Sequence, residues 1–301
     1  MTFRFAWGGL RPAQIRDKFA TGVMWLAAVA AAIPLIGLLW TTVSRGLSRF
    51  DLAFFTESMR GITSAPGTPL GGALHAIVGT LLITALTTVI AAPLGIATAL
   101  WLVEEADRSS SPATRWFGRT VRLAVDVMTG IPSIVAGLTI LALISTLISP
   151  GYRSGLAGAL ALAIVMLPVV VRASEEVLTR VPEDLREGAL ALGARRWRVA
   201  THVVLPTARP GLVSAVVLGV SRIIGETAPL LLVVGINLSM NYNLASGRMM
   251  SLPVYIYSQW ANQAGHSDAY NARAWTAALV LVLIVLLLQA VARLAGRKTK
   301  P

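Results

Sequence analysis

The sequence contains no cysteine, which removes disulfides, cysteine-held metals and thiol redox chemistry from consideration. Charge is scarce as well, at 13% of 301 residues, well below the share in an ordinary soluble domain. Lysine is confined to Lys18, Lys298 and Lys300, and none of them closes a GxxxxGK[ST] loop, so the chain carries no P-loop ATPase of its own. A GxSxG nucleophile elbow is missing too. His75, His202 and His266 show no metal-ligand spacing with one another and read as surface or packing residues.

What fills the chain instead is apolar: 55% of it is hydrophobic, in six runs near or above the roughly 20 residues that cross a bilayer. The runs are 19–43, 73–103, 121–148, 155–171, 212–238 and 272–294. They lack the alternation of barrel strands, and a backbone in hydrocarbon must satisfy itself, so each reads as a helix. The expected fold is all-α, a polytopic membrane protein with six transmembrane helices. The first run is too long for a signal-peptide core and reads as a retained anchor. Residues 1–18 read as an interfacial segment that mixes aromatic and basic side chains, and residues 19–301 as the transmembrane domain.

The net charge of +12 suits either nucleic acid or an anionic membrane surface. Its distribution decides. Basic residues gather before residue 19, at Arg108, Arg115 and Arg119, between Arg172 and Arg209, and after Arg293, all on one side of a six-span chain. That asymmetry places both termini in the cytoplasm and needs no nucleic acid to explain it.

The loop 180–211, "RVPEDLREGALALGARRWRVATHVVLPTARPG", is the most informative polar stretch. Pro182, Glu183 and Asp184 suit the start of a short helix, and Gly193 suits its end. A second helix is expected over 194–204, anchored by Trp197 and Val204 and stopped by Pro206 and Pro210.

Within this loop, Glu187, Gly188, Ala189 and Gly193, followed by Val203, Leu205 and Pro206, resemble the EAA motif of type I ABC-importer permeases. Gly188 and Val203 stand where that family usually has Ala and Ile. "LAFFTES", "PGTPLGGALHAIVGTLLIT", "APLGIATALWLVEEA", "GIPSIVAGL" and "GETAPLLL" narrow the resemblance to the PstA-type permeases of phosphate-specific ABC importers. The resemblance implies a plasma-membrane subunit that moves inorganic phosphate and couples to an ATPase through Glu187, Gly188, Ala189, Gly193, Leu205 and Pro206. The implied partners are a PstC-type permease subunit, two PstB-type ATPases that bind ATP and Mg, and a PstS-type phosphate-binding protein, with lipid around them. No cofactor is expected in this chain. The loops 44–72 and 239–271 are candidate docking surfaces for the binding protein.

Two charges interrupt "GVSRIIGETAPLLLVVG": Arg222 and Glu226, four apart and therefore on one face of a helix. A charge near the bilayer centre costs roughly 2.5–3.5 kcal/mol on insertion scales, so such residues face a bundle interior or an aqueous path. A guanidinium fork matches a tetrahedral oxyanion. Arg222 is thus the expected pathway residue, with Glu226 holding it, and the resemblance to phosphate permeases implies that Arg172 stands at the inner mouth. Arg122 and Asp126, also four apart, read as a structural pair. The competing readings are a permease for another oxyanion, a gradient-driven secondary transporter with helices broken at Pro34, Pro93, Pro132 or Pro168, and a membrane scaffold without a path.

Overall fold

A chain held in hydrocarbon satisfies its backbone most directly by coiling, and no strand occurs among the residues described by the computed structural model, 12–62, 71–261 and 267–297. His266, Lys298, Lys300 and the first eleven residues of the expected interfacial segment lie outside them. In chain order the helices are α1 (Pro12–Gly46), α2 (Leu52–Thr56), α3 (Leu74–Trp101), α4 (Pro112–Gly130), α5 (Ser133–Leu147) and α6 (Gly155–Thr179). There follow α7 (Glu183–Ala191), α8 (Arg196–Val199), α9 (Leu205–Ile223), α10 (Ala228–Val233), α11 (Leu252–Ala261) and α12 (Ser267–Arg297). A 3-10 turn, Leu47–Arg49, follows α1; single π turns, Leu102–Ala106 and Ala200–Val204, extend α3 and join α8 to α9.

Among the described residues, five continuous segments are long and apolar enough to cross a membrane: Arg16–Arg49, Leu74–Ala106, Gly155–Thr179, Arg196–Ile223 and Asp268–Val291. α4 and α5 pass the same length and composition test together, as a sixth candidate span bent by 103°. The expected span over 121–148 is thus divided into two helices. Its break has a local cause, because a residue before proline is driven to extended backbone: Ile131 takes ψ 127° and Pro132 ψ 133°. α4 is consequently a separate amphipathic helix, and α5 carries the apolar part of the run.

The expected span 212–238 is corrected. Pro206 and Pro210 do not stop a helix; both lie inside α9, which continues from the π turn at Ala200–Val204. A proline ring clashes with the carbonyl four residues back, and the widened π turn loosens the coil just ahead of Pro206. The span then ends early, at Ile223, and the chain re-enters a helix only at Ala228.

The most buried of these spans is α6, half of whose apolar window lies inside the bundle. It packs chiefly against α3 and α9, with α12 beyond α9 and α5 joined to α10. Small residues permit the close approach that membrane helices rely on. Gly95 of α3 and Gly219 of α9 both receive Val170 of α6, and a Cβ on Gly79 would stand 1.9 Å from the Met250 carbonyl oxygen. By contrast, no part of the apolar window of α1 is buried. α1 joins the bundle near its end, where Thr276 Oγ1 donates to the Gly46 carbonyl at 2.8 Å.

Candidate functional site

The 180–211 loop is built by a helix with a strong stop. At the end of α7, Ala194 N–H bonds the Ala189 carbonyl at 3.2 Å and Gly193 N–H bonds the Leu190 carbonyl at 2.9 Å. This pair of bonds is a Schellman closure, which needs left-handed backbone at its fifth residue. Gly193 supplies it with φ +83°. Glu187, Gly188 and Gly193 are exposed, Ala189 is half-buried, and Leu190, Leu192 and Trp197 project apolar surface beside them. Of the later pair, Pro206 is exposed and Leu205 partly buried. A surface patch with acidic and apolar groups on one short helix is the result.

The opposite face of α7 is tied down by Arg186, whose side chain is 3% exposed. Its guanidinium donates to Glu104 Oε1 at 2.9 and 3.0 Å and to the Leu178 carbonyl at 2.9 Å. Arg108 adds a forked contact to Glu183, including Nη2 to Oε2 at 2.9 Å. The hydrogen bond from Arg108 holds the Glu183 carboxyl below its ordinary value, and the same bond raises Arg108. From there the charges continue along the bundle. Arg122 bonds Asp107 at 2.7 Å and Glu175 at 2.9 Å, while Arg172 bonds Glu175 at 2.9 Å and also Asp126. The expected Arg122–Asp126 pair is thereby corrected: each has exchanged its helical neighbour for a partner on another segment.

One turn of α6 separates Arg172 from Pro168, and Pro168 lines a cavity of about 80 Å³ with Thr129, Ser133, Val165, Met128 and Arg222. Arg222 reaches this cavity from the last turn of α9. It is paired with Glu226, as their spacing predicts, although Glu226 lies beyond the helix end, its N–H bonded to the Ile223 carbonyl at 3.0 Å. The Arg222 side chain is 53% exposed and that of Glu226 12%, so the acid is sheltered and the guanidinium faces outward. The rise from Arg209 to Arg222 is about 20 Å along a helix, and Arg222 lies in the last turn of this candidate span, with Glu226 just beyond it. Ile131, in the break between α4 and α5, also lines this cavity. The positive end of α5 also begins at this cavity wall, and helix N-termini favour anions.

The chain is similar over residues 91–301 to the family described as binding-protein-dependent transport system inner membrane component. It is 41% identical over 275 residues to "Phosphate transport system permease protein PstA 1" of Mycobacterium tuberculosis (strain ATCC 25618 / H37Rv), covering 90% of this chain and 84% of that one. The chain belongs to the PstA family of these inner-membrane components. A PstA permease of Pasteurella multocida (strain Pm70) is 36% identical over 281 residues, 93% of this chain and 94% of its own. Among solved structures, the inward-facing MetNI methionine ABC transporter matches with TM-score 0.57 at 22% identity, over 76% of this chain and 95% of that chain. A bacterial ABC transporter for the acidic polysaccharide alginate matches with TM-score 0.60 at 18% identity, over 95% and 97%. At these identities the two structures speak for the fold alone.

In this permease, the structure pairs Glu226 with Arg222, which lines the cavity, and leaves Glu187 and Gly188 exposed on α7 with Gly193 exposed just beyond its end. It does not bring Arg172 into the cavity lining; Arg172 stands one turn away, held by two carboxylates. Sequence reasoning passed over Arg186, Glu104, Asp107 and Glu175. The signal for Arg186 lay next to Glu187, one residue around the helix and so on another face, but its partner Glu104 is 82 positions away.

Proposed function

We propose that this permease forms one half of the membrane path of an ATP-driven importer of inorganic phosphate. The observation that carries the reading is the 41% identity over 90% of the chain with a phosphate transport system permease, and the Arg222 cavity agrees with it chemically. A divalent or monovalent phosphate entering the apolar layer needs donors that replace water, and a guanidinium provides two in a fork. Glu226 orients Arg222 between passages and offsets its charge, which keeps the site from trapping the anion.

A second, PstC-type subunit closes the path, since the Arg222 side of this chain is open. Both termini lie in the cytoplasm. Two PstB-type ATPases, which hold the ATP and Mg, engage Glu187, Ala189 and the apolar residues of α7 from below, and a PstS-type protein delivers phosphate at the other end. Movement of α7 passes through Arg186 to Glu104 and α3, and through Arg108, Asp107 and Arg122 to α4 and α6. The bend between α4 and α5 is the element free to change angle, and it forms one wall of the cavity. The test is labelled phosphate uptake by cells that express the assembled importer with and without this chain. Uptake should depend on this chain and on ATP, and excess sulfate should not compete. Uptake that is unchanged when the chain is deleted, or that sulfate abolishes, overturns the assignment.

A further inference from the structure

One turn of α6 beyond the cavity, on the side of α7, five charged groups bind in sequence, from Asp107 just past the π turn of α3 to Asp126 of α4. Asp107 accepts both Nη donors of Arg122, at 2.8 and 2.7 Å. Arg122 Nε bonds Glu175 Oε1 at 2.9 Å, and Glu175 Oε2 accepts Arg172 Nη1 at 2.9 Å. The sequence ends at Asp126, where Arg172 Nε donates to Oδ1 at 3.0 Å and Nη2 donates to the same oxygen.

The three acids are not equally held. Glu175 is shared by two guanidinium groups and its side chain is 10% exposed, so pulling it away would strand buried charge. Asp107 grips Arg122 with both oxygens. Asp126 is bound by one residue only, its Oδ2 has no partner among the described residues, and its side chain is 57% exposed. A pair so open to solvent is weak, and a rotamer change of Asp126 breaks it. What Asp126 covers is the Nε–Nη2 edge of Arg172, a planar pair of donors that fits the oxygens of a carboxylate or of a phosphate alike. Its place makes that likeness useful. Met128 and Thr129 of α4 and Pro168 and Val169 of α6 line the Arg222 cavity, and the next charged groups toward α7 on those two helices are Asp126 and Arg172.

We propose, resting on the phosphate reading above, that Asp126 is a displaceable stand-in for the transported anion on Arg172. Phosphate leaving the Arg222 cavity takes the Nε–Nη2 edge as Asp126 swings into solvent, and only hydrogen bonds are exchanged. Glu175 keeps Arg172 aimed throughout by holding Nη1. The displaced carboxylate stays close, and its return expels the anion toward the cytoplasm. A station on a path must bind well enough to be entered and weakly enough to be left; Asp126 supplies the second property.

The experiment uses the full chain in its assembled importer, with the phosphate-delivering protein left out, and measures equilibrium binding of labelled inorganic phosphate. Asp126→Asn keeps the size of the side chain and removes the competing charge. It should bind phosphate roughly fivefold more tightly than the parent, the upper value of an exposed ion pair. Adding Arg172→Gln to Asp126→Asn should erase that gain. With the delivering protein restored in proteoliposomes, Asp126→Asn should show a lower maximal uptake rate, because release is slowed. A residue that only supported the fold would not tighten binding when removed. If Asp126→Asn fails to assemble, Asp126→Ala is read by the same criteria. Affinity no higher than the parent's, or a gain that survives Arg172→Gln, overturns the exchange while parental phosphate uptake leaves the transport reading standing. Absence of phosphate uptake by the parent importer sinks that reading and the exchange with it.

Discussion

Replacing Arg186 with methionine should detach α7 from the bundle while leaving its exposed face intact. Methionine keeps much of the length and apolar stem but none of the donors. In the parent, the guanidinium makes two contacts to Glu104 at 2.9 and 3.0 Å and one to the Leu178 carbonyl at 2.9 Å. The two side chains are 3% and 11% exposed. Removing one member of so enclosed a pair strands the other, at a cost of about 3–5 kcal/mol. Arg108, 3.6 Å from Glu104, offsets part of this. Adding Glu104→Leu to Arg186→Met should recover most of the loss, because no carboxylate is then left behind. The assay is thermal unfolding of the four members of the cycle, with ATPase co-purification read in parallel. If Arg186→Met costs less than about 1 kcal/mol, the value of an exposed pair, or if the double variant is no better, the anchoring role is refuted.

Gly193→Val has open space around its Cβ but must take φ +83°, so it should strain the α7 closure, weaken ATPase co-purification and lower transport without loss of the folded chain; Glu187→Arg should do the same from the surface. Normal transport with both variants would remove α7 from coupling. A reporter fused within Arg108–Arg115 should score as cytoplasmic and one near Gly247 as external, and an internal score at Gly247 would contradict six crossings. The Glu183 carboxyl lies below its ordinary value of 4.5 through Arg108. Its contribution is therefore complete above that value and lost as pH falls through the lowered one. Proteolysis of the 180–198 segment should be flat from pH 8 to about 5 and rise on further acidification, and Arg108→Gln should remove that added acid sensitivity; equal sensitivity in the variant would count against the contact.

The spans that could be read from the sequence were those whose signal is local. Uninterrupted apolar runs gave α1, α3, α6 and α12 to within a few residues, apart from the inner end of α6, where Glu175 and Glu176 hid two further turns. Ile131-Pro132 announced the α4–α5 bend, but the apolar run continues across it, and composition outweighed the proline. Pro206 and Pro210 misled in the other direction, because a π turn upstream accommodates rings that a regular coil would not. Arg222 and Glu226 were legible because their partner lies one turn away. The charge network was not, since Arg122–Glu175 and Arg186–Glu104 span 53 and 82 positions and nothing in a single sequence marks such distant partners. Arg122 and Asp126 had the right spacing to pair with each other and still found others, as half-exposed side chains do when a second helix offers a better fork.

The central claim is that Arg222 meets the anion in the path rather than merely supporting the fold, and one variant separates the two. Arg222→Gln with Glu226→Gln removes both charges together, so no unpaired carboxylate remains to destabilise the permease. Labelled phosphate uptake is measured at low external phosphate and normalised to the amount of permease in the membrane. The account predicts a double variant as abundant as the parent that carries almost no phosphate, since its guanidinium donors are gone from the cavity beside Thr129 and Ser133. Uptake at the parental rate by that double variant would contradict it.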